Sequence, residues 1–432
     1  MTQTIRRRIA PLLGSYRPEG DKSLSHRALL FAALAEGQST IRRFLVGGVT
    51  QAMLRCLRAL GVPCELDAQA HILRVQGVGL HGFTPPAEPL NCGNSATTFR
   101  LLAGALAGAG TPCVLDGSAG LRRRPMDRIL EPLRLMGAHV SSDTGRAPLR
   151  FAPAPLHGIS YTLPIASAQV KSCLLLAGLS ADAPTAILEP GPSRDHTERM
   201  LAAMGAAIRP LEAPAHGAVV LPQTNPLRPL DLELPGDISS AAFLIVAATL
   251  LPGSDFTLLR VGVNPTRTGI LDALRAMGAD IQLLNETTLA GEPVADLRVR
   301  AAHLSGTVIQ GDLVVRMIDE FPAFMIAAAA ARGETLVRDA AELRTKESDR
   351  IAGMASALRA LGVDIEEYPD GFRIRGTGVI PGGAALGAGG DHRVAMSLAL
   401  AGLIAEQPIT VEGFDILNES FPDFPSVLGL NA

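Results

Sequence analysis

Asp21-Lys22-Ser23-Leu24-Ser25-His26-Arg27 runs directly into Ala28-Leu29-Leu30-Phe31-Ala32-Ala33-Leu34, and after a break comes Ser39-Thr40-Ile41. A short polar head, an Ala/Leu-rich helical stretch and a strand-like run therefore follow one another within about twenty residues. The same order returns behind the heads Asn91-Cys92-Gly93-Asn94-Ser95, Ala166-Ser167-Ala168-Gln169, Gly236-Asp237-Ile238-Ser239-Ser240, Met317-Ile318-Asp319-Glu320 and Gly390-Asp391-His392-Arg393. A second refrain lies between heads: Leu57-Arg58-Ala59-Leu60-Gly61 comes back as Leu133–Gly137, Leu201–Gly205, Leu274–Gly278 and Leu358–Gly362. A period near 70 residues is too long for a solenoid, so each copy reads as a large βα unit inside a globular domain. Ser, Asn and Asp are good N-caps, and helix N-termini attract anions. Six such ends could face a common cleft.

The chain of 432 residues is long enough for two domains, and with 47% hydrophobic and 19% charged residues it can bury large cores. A net charge of −3 gives no global field for nucleic acid, so any anion site must be local. With no Trp and three Tyr, base-stacking platforms are also disfavoured. No apolar run reaches the length of a membrane span, and Thr2 to Tyr16 does not read as a signal peptide. Five cysteines without metal-like spacing imply reduced thiols and a cytoplasmic protein. Three heads precede residue 230 and three follow it, and the proline-rich Pro222–Pro229 is the best linker.

Read alone, most heads have ordinary explanations. Lys22, Ser23 and Arg27 could grip a phosphate or carboxylate, with Ser23 and Arg27 on one helix face; an N-cap with two solvated cations explains them equally well. Ser167 and Gln169 could simply start a helix, with Lys171 a surface charge. The Arg122–Arg128 run precedes a helix, where an anion is favoured, though such runs usually form a solvated face. Lys346-Glu347-Ser348-Asp349-Arg350 suggests a helical salt-bridge ladder pairing Glu347 with Arg350 and Lys346 with Asp349. Asp319 is either a cap or, in its apolar, Pro-flanked setting, a general base. What tips the balance is that these charges recur near equivalent points of one repeat.

At this level of detail the chain resembles the EPSP synthases, the 3-phosphoshikimate 1-carboxyvinyltransferases. The resemblance is carried in order by Asp21–Arg27, Gly93–Thr97, Arg124-Pro125-Met126, Ser167–Ser172, Lys346–Arg350, Asp391-His392-Arg393 and Ser420-Phe421-Pro422. It implies the enolpyruvyl transferase fold: two similar inside-out α/β domains, each of three βαβαββ units, closing on substrate. The expected domains are 1–20 with 234–432, and 21–233, with hinge segments near 17–21 and 228–237. It also implies transfer of the enolpyruvyl group of phosphoenolpyruvate to shikimate 3-phosphate by a monomer using no metal or organic cofactor. Lys22, Ser23, Arg27, Ser167, Gln169, Arg194, Asp319 and Lys346 would hold shikimate 3-phosphate. Lys22, Ala96, Arg124, Gln169, Arg350 and Arg393 would surround phosphoenolpyruvate. Asp319, Glu347 and Lys22 would carry the proton transfers. Ala96 stands where many members have Gly, as in a branch that tolerates glyphosate, so weak binding of that inhibitor is expected. Glu419 stands where many have Lys and is given no role.

Three other readings are weighed. A sister enolpyruvyl transferase acting on a UDP-amino sugar carries a Cys in the loop that here reads Asp116–Arg124, which has none. A non-catalytic anion-binding repeat protein should lack one of Lys22, Asp319 and Glu347, yet all are present. A domain of a multifunctional enzyme should extend beyond the family's usual limits, and this chain keeps to them.

Overall fold

The computed structural model describes residues 1–289 and 291–430. The chain forms two compact units, one of Met1–Glu19, Pro235–Thr287 and Pro293–Ala432, the other of Gly20–Leu234 with Thr288–Glu292. It passes between them at Glu19–Gly20 and Leu234–Pro235, and again on either side of the short segment Thr288–Glu292. Each unit encloses its own apolar cluster, one running from Leu24 to Leu234 and the other drawn from Ile5, Leu12 and residues beyond Ile238.

In the unit of residues 20–234, each head opens a helix: α1 (Lys22–Leu34), α2 (Ala96–Ala109) and α3 (Ala168–Gly178). Asp21 caps α1 by accepting from Leu24 N at 2.8 Å, and Ser95 caps α2 by accepting from Thr98 N at 3.1 Å. Their sequences are apolar nearly all round, and helices of that kind need burial on every side. In α1 every residue from Leu24 to Leu34 is buried. Helix α2 packs on both α1 and α3, and its contact with α3 is close enough to require Gly104. A Cβ there would lie 2.0 Å from the Cys173 carbonyl oxygen.

Three sheets wrap these helices, and strands such as Leu149–Ala152 alternate buried and exposed residues. That is the signature of a sheet with one face on the core and one in water. Within each sheet the strand before the head helix pairs parallel with the strand after it, and two antiparallel strands complete the set. Thus Ser160–Thr162 lies parallel to Thr185–Glu189, which pairs with His216–Val220, which pairs with Ile208–Pro210. This is one βαβαββ unit.

The other unit repeats the plan with α4 (Ile238–Leu250), α5 (Phe321–Ala330) and α6 (His392–Ile404), which pack mutually. Asp237 and Asp391 cap α4 and α6. Among the described residues there are six sheets, five of four strands and one of three. In the latter, Thr2–Ile5 from the chain start pairs antiparallel with Ile409–Glu412. The crossings between units also have a structural counterpart. The first repeat takes its leading strand, Asp231–Glu233, from the end of the excursion, and the fourth takes Leu13–Tyr16 from before it.

The refrain marks the end of the second helix of each of the first five repeats. Gly61, with φ 84°, donates to the Arg58 carbonyl while Val62 N donates to the Leu57 carbonyl. That left-handed residue and its crossed pair of bonds form a Schellman close, which favours Gly because it lacks a Cβ. The same 6→1 bond recurs from Ala138, Ala206, Ala279 and Val363. The arginine of the refrain staples the helix to the following strand: Arg58 reaches the Cys64 carbonyl, Arg134 that of Val140, Arg275 that of Ile281 and Arg359 that of Ile365.

Candidate active site

In the unit of residues 20–234 the three head ends are tied together by side chains. Arg27, almost wholly buried on α1, donates Nε to Thr197 Oγ1 at 2.8 Å and one terminal nitrogen to Ser172 Oγ at 2.9 Å. Its other terminal nitrogen reaches the Ser23 carbonyl at 3.2 Å, so the expected one-face pairing of Ser23 and Arg27 exists through the backbone. Burial pushes the guanidinium down to about 10, with Glu198 pulling upward and Arg194 downward. Arg194 therefore lies within electrostatic reach of Arg27, on the loop before the helix His196–Ala203.

His26 joins the first head to the second. Its Nδ1 meets the Lys22 carbonyl at 2.7 Å and its Nε2 the Ser95 hydroxyl at 3.3 Å. A carbonyl can only accept, so Nδ1 carries the hydrogen and Nε2 accepts from Ser95. Burial holds His26 down at about 4, so the ring is neutral near pH 7. Lys22, the first residue of α1, and Ser95, the cap of α2, are thereby linked through one imidazole. Within the motif Asp21–Arg27 nothing in the local spacing points His26 to Ser95, which lies 69 residues away.

Gln169 joins the second head to the third. Its Oε1 accepts from Arg100 at 2.6 Å, and its Nε2 donates to Thr97 Oγ1 at 3.0 Å. Ser167 occupies the cap position of α3 without capping it through its side chain; instead its backbone N–H donates to Glu189 Oε1 at 3.2 Å. Arg124, half-buried, follows the short helix Ala119–Arg122 in a loop where Arg122 pairs with Asp116.

In the other unit Arg350 is the organising residue. It is 1% exposed and donates to three carboxylates: Asp391 at 2.8 Å, Glu347 at 2.7 Å and Asp319 at 3.4 Å. Burial alone would depress this guanidinium, but Asp391, Glu347 and Asp319 outweigh it and raise it further. Asp391 is held well into its ionised form by Arg350 and His392 despite its burial. Arg393, also buried, donates to the Asp319 carbonyl oxygen and lies 3.8 Å from Glu320. Lys346 is half-buried; loss of solvation lowers its ammonium against the pull of Asp319 and Glu342. Asp319, Lys346, Glu347, Arg350 and Arg393 thus form one cluster.

Four of the ordinary local readings do not hold. Lys171 is not a surface charge: it is 2% exposed and pairs with Glu189 at 2.7 Å and Glu198 at 2.8 Å. Asp319 is not a cap, because Glu320 takes that position in α5. Ser167 stands at a cap position but makes no side-chain cap. The segment 346–350 is not a helical ladder. A 3₁₀ turn ends at Thr345 and the next helix starts at Arg350, capped by Asp349 to Ala352 N at 2.9 Å. Asp349 pairs with Arg344 at 2.9 Å, and Lys346 lies 3.9 Å from Glu342.

Helix starts, buried arginines and a pair of carboxylates on one guanidinium define a protein equipped to hold anions and to move protons beside them. The EPSP synthase (3-phosphoshikimate 1-carboxyvinyltransferase) family model matches residues 7–428. A 3-phosphoshikimate 1-carboxyvinyltransferase of Halorhodospira halophila is 52% identical over 427 residues, covering 98% of this chain and 95% of that one. One from Acidithiobacillus ferrooxidans is 49% identical, covering 99% and 97%. The solved EPSP synthase of Acinetobacter baumannii superposes with a TM-score of 0.87 at 42% identity, covering 99% and 97%. The chain belongs to the EPSP synthase family, and its two-unit α/β architecture is that family's fold.

Proposed function

We propose that this chain catalyses the transfer of the enolpyruvyl group of phosphoenolpyruvate to the 5-hydroxyl of shikimate 3-phosphate, releasing phosphate. Full-length similarity to relatives named for that activity supports the reading. The single structural observation behind it is the cluster in which Arg350 holds Asp319 and Glu347 at once. The reaction needs a base to take the hydroxyl proton as oxygen attacks C2 and an acid to protonate C3. Its second half removes a proton from C3 as phosphate leaves. Asp319 is proposed as the base and Glu347 as the acid, with Lys22 a participant.

Two substrates carrying phosphate and carboxylate need several cations, and planar guanidinium suits both groups bidentately. Lys22, Ser23, Arg27, Ser167, Gln169, Arg194, Asp319 and Lys346 are proposed to hold shikimate 3-phosphate. Lys22, Ala96, Arg124, Gln169, Arg350 and Arg393 are proposed for phosphoenolpyruvate. Within the Arg350 cluster Asp391 anchors Nε, which leaves the terminal nitrogens to exchange a carboxylate for an incoming anion. Phosphate release from phosphoenolpyruvate that depends on added shikimate 3-phosphate is the test. Release without it, or none with it, would refute the assignment.

The same reading makes the protein a cytoplasmic monomer, consistent with five cysteines that form no disulfide; light scattering at a single-chain mass checks the monomer. It also makes the enzyme tolerant of glyphosate. Ala96 is 6% exposed at the start of α2, and its methyl group is proposed to narrow the phosphoenolpyruvate site. Steric mismatch of one methyl group against a longer ligand costs about 1–3 kcal/mol, or roughly ten- to a hundredfold in affinity. Ala96→Gly should therefore restore inhibition, and equal sensitivity of the two proteins would sink the steric account.

A further inference from the structure

Among the charged groups that the proposed reaction does not use, one cluster is both buried and connected to the proposed ligands. Lys171 lies one turn into α3, with its ammonium 2.7 Å from Glu189 Oε2 and 2.8 Å from Glu198 Oε1. All three side chains are at least nine-tenths buried. Burial disfavours the ammonium, yet Glu198 and Glu189 outweigh it and hold Lys171 charged. Such a group costs much desolvation, and a chain of simple apolar packing would fill the space more cheaply.

Its connections give it a different role. Glu189, steadied through Oε2 by Lys171, uses Oε1 to accept the backbone N–H of Ser167. Ser167 is a head residue at a cap position whose hydroxyl makes no cap bond, whereas Asp21, Ser95, Asp237 and Asp391 all cap with their side-chain oxygens. Glu198, the second carboxylate, follows Thr197, which takes Arg27 Nε at 2.8 Å and meets Ser172 Oγ at 2.6 Å. Glu198 is also the main attraction felt by the Arg27 guanidinium. One ammonium therefore ties the third head to the strand Thr185–Glu189 and the helix His196–Ala203. Ser167 and Arg27 stand at its two ends.

We infer that Lys171 is a positioning residue for shikimate 3-phosphate: bridging Glu189 and Glu198, it fixes Ser167 and Arg27 for that ligand. This rests on the ligand assignment proposed above. Phosphoenolpyruvate depends on it only through Gln169, whose amide is held separately by Arg100 and Thr97. The consequence is selective: the wall for one substrate loosens while the proton-transfer groups Asp319 and Glu347 are untouched.

The test is calorimetric titration of shikimate 3-phosphate into the wild type, Lys171→Met, Lys171→Arg and Glu189→Gln, with steady-state kinetics in both substrates. Misplaced positioning groups cost on the order of ten- to a hundredfold. Lys171→Met should raise the Kd and KM for shikimate 3-phosphate by that factor. KM for phosphoenolpyruvate and kcat at saturation should stay within about threefold. Lys171→Arg, which keeps the charge, should recover most of the loss. Should Lys171→Met fail to fold, Glu189→Gln carries the test, since it removes the charge that steadies Lys171 while leaving an oxygen for Ser167. Its affinity should fall in the same selective way. Equal loss in both substrates overturns the inference, as does a lowered melting temperature with unchanged kinetics or an arginine variant no better than methionine. Absence of shikimate 3-phosphate binding by the wild type would instead refute the ligand assignment itself.

Discussion

A buried arginine shared by three carboxylates decides what Asp319 and Glu347 can do. Arg350 holds both within one guanidinium and is itself fastened by Asp391, which is fully buried and also caps α6. Proton transfer by a positioned side chain contributes roughly 10²–10⁴-fold. Asp319→Asn and Glu347→Gln should each lower kcat by an amount in that range while moving the melting temperature little, since both side chains are about one-fifth exposed. A variant retaining near-wild-type turnover is not the proton carrier. His26 allows a second prediction at this scale. Its folded value of about 4 lies below the ordinary 6.5, so its neutral form is the one the fold accepts. Its contribution is complete above pH 6.5, and is lost as pH falls from there through about 4, because the unfolded chain binds the proton first. The whole effect is roughly 3 kcal/mol. Denaturant titrations of wild type and His26→Asn should show the steeper loss in the wild type between pH 6.5 and 4; parallel curves would refute the assignment. At this scale the sequence says little about how the charged residues are held. Lys171 was read as exposed because its partners Glu189 and Glu198 come from a strand and a helix later in the chain, and no local spacing connects them.

Elements were more legible, since their signals are local. The six heads each stand at the start of a nearly all-round apolar helix, and the refrain glycines sit where the second helices close. Segment 346–350 was misread because its i,i+3 charge spacing mimics a helix, while Asp349 caps rather than continues one. The close packing of α2 on α3 was invisible in sequence, because Gly104 looks like one more small residue among Ala and Leu. The structure shows why it cannot gain a methyl group: the Cys173 carbonyl, carbon and Cα would lie at 2.0, 2.7 and 2.9 Å from its Cβ. All three are backbone atoms, so no side-chain rotation relieves the clash and one helix must move. Gly104→Ala gains helix propensity of about 1 kcal/mol, yet overpacking of a rigid core costs typically 1–3 kcal/mol. With backbone on both sides the upper end applies, and the net effect should be a destabilisation. Thermal denaturation beside Gly353→Ala, an open helical glycine with nothing within 4 Å, isolates the contact. The control should gain stability and Gly104→Ala should lose it; a gain in both would refute the packing account.

At the scale of the molecule, each unit is complete in the parts that stabilise it. Every residue of one apolar cluster lies between Leu24 and Leu234, and its three sheets draw all their strands from the same stretch. Even the strand that opens the first repeat, Asp231–Glu233, is supplied from the end of that stretch, where it pairs with Glu36–Arg42. Cores of this size form independent cooperative units when few stabilising contacts cross the boundary. Residues 20–234 expressed alone should therefore fold with native-like circular dichroism and one cooperative urea transition. The fragment lacks Thr288–Glu292. His196 then forfeits Glu292, 2.8 Å from its Nδ1, and Arg199 forfeits the Gly291 carbonyl at 2.9 Å. A neutral bond is worth about 1 kcal/mol and one to a carboxylate about 1.5–3 kcal/mol, small beside burial of three apolar helices and their sheets. A fragment with secondary structure but a broad, non-cooperative transition would show that the apolar cluster alone does not make this unit a folding domain.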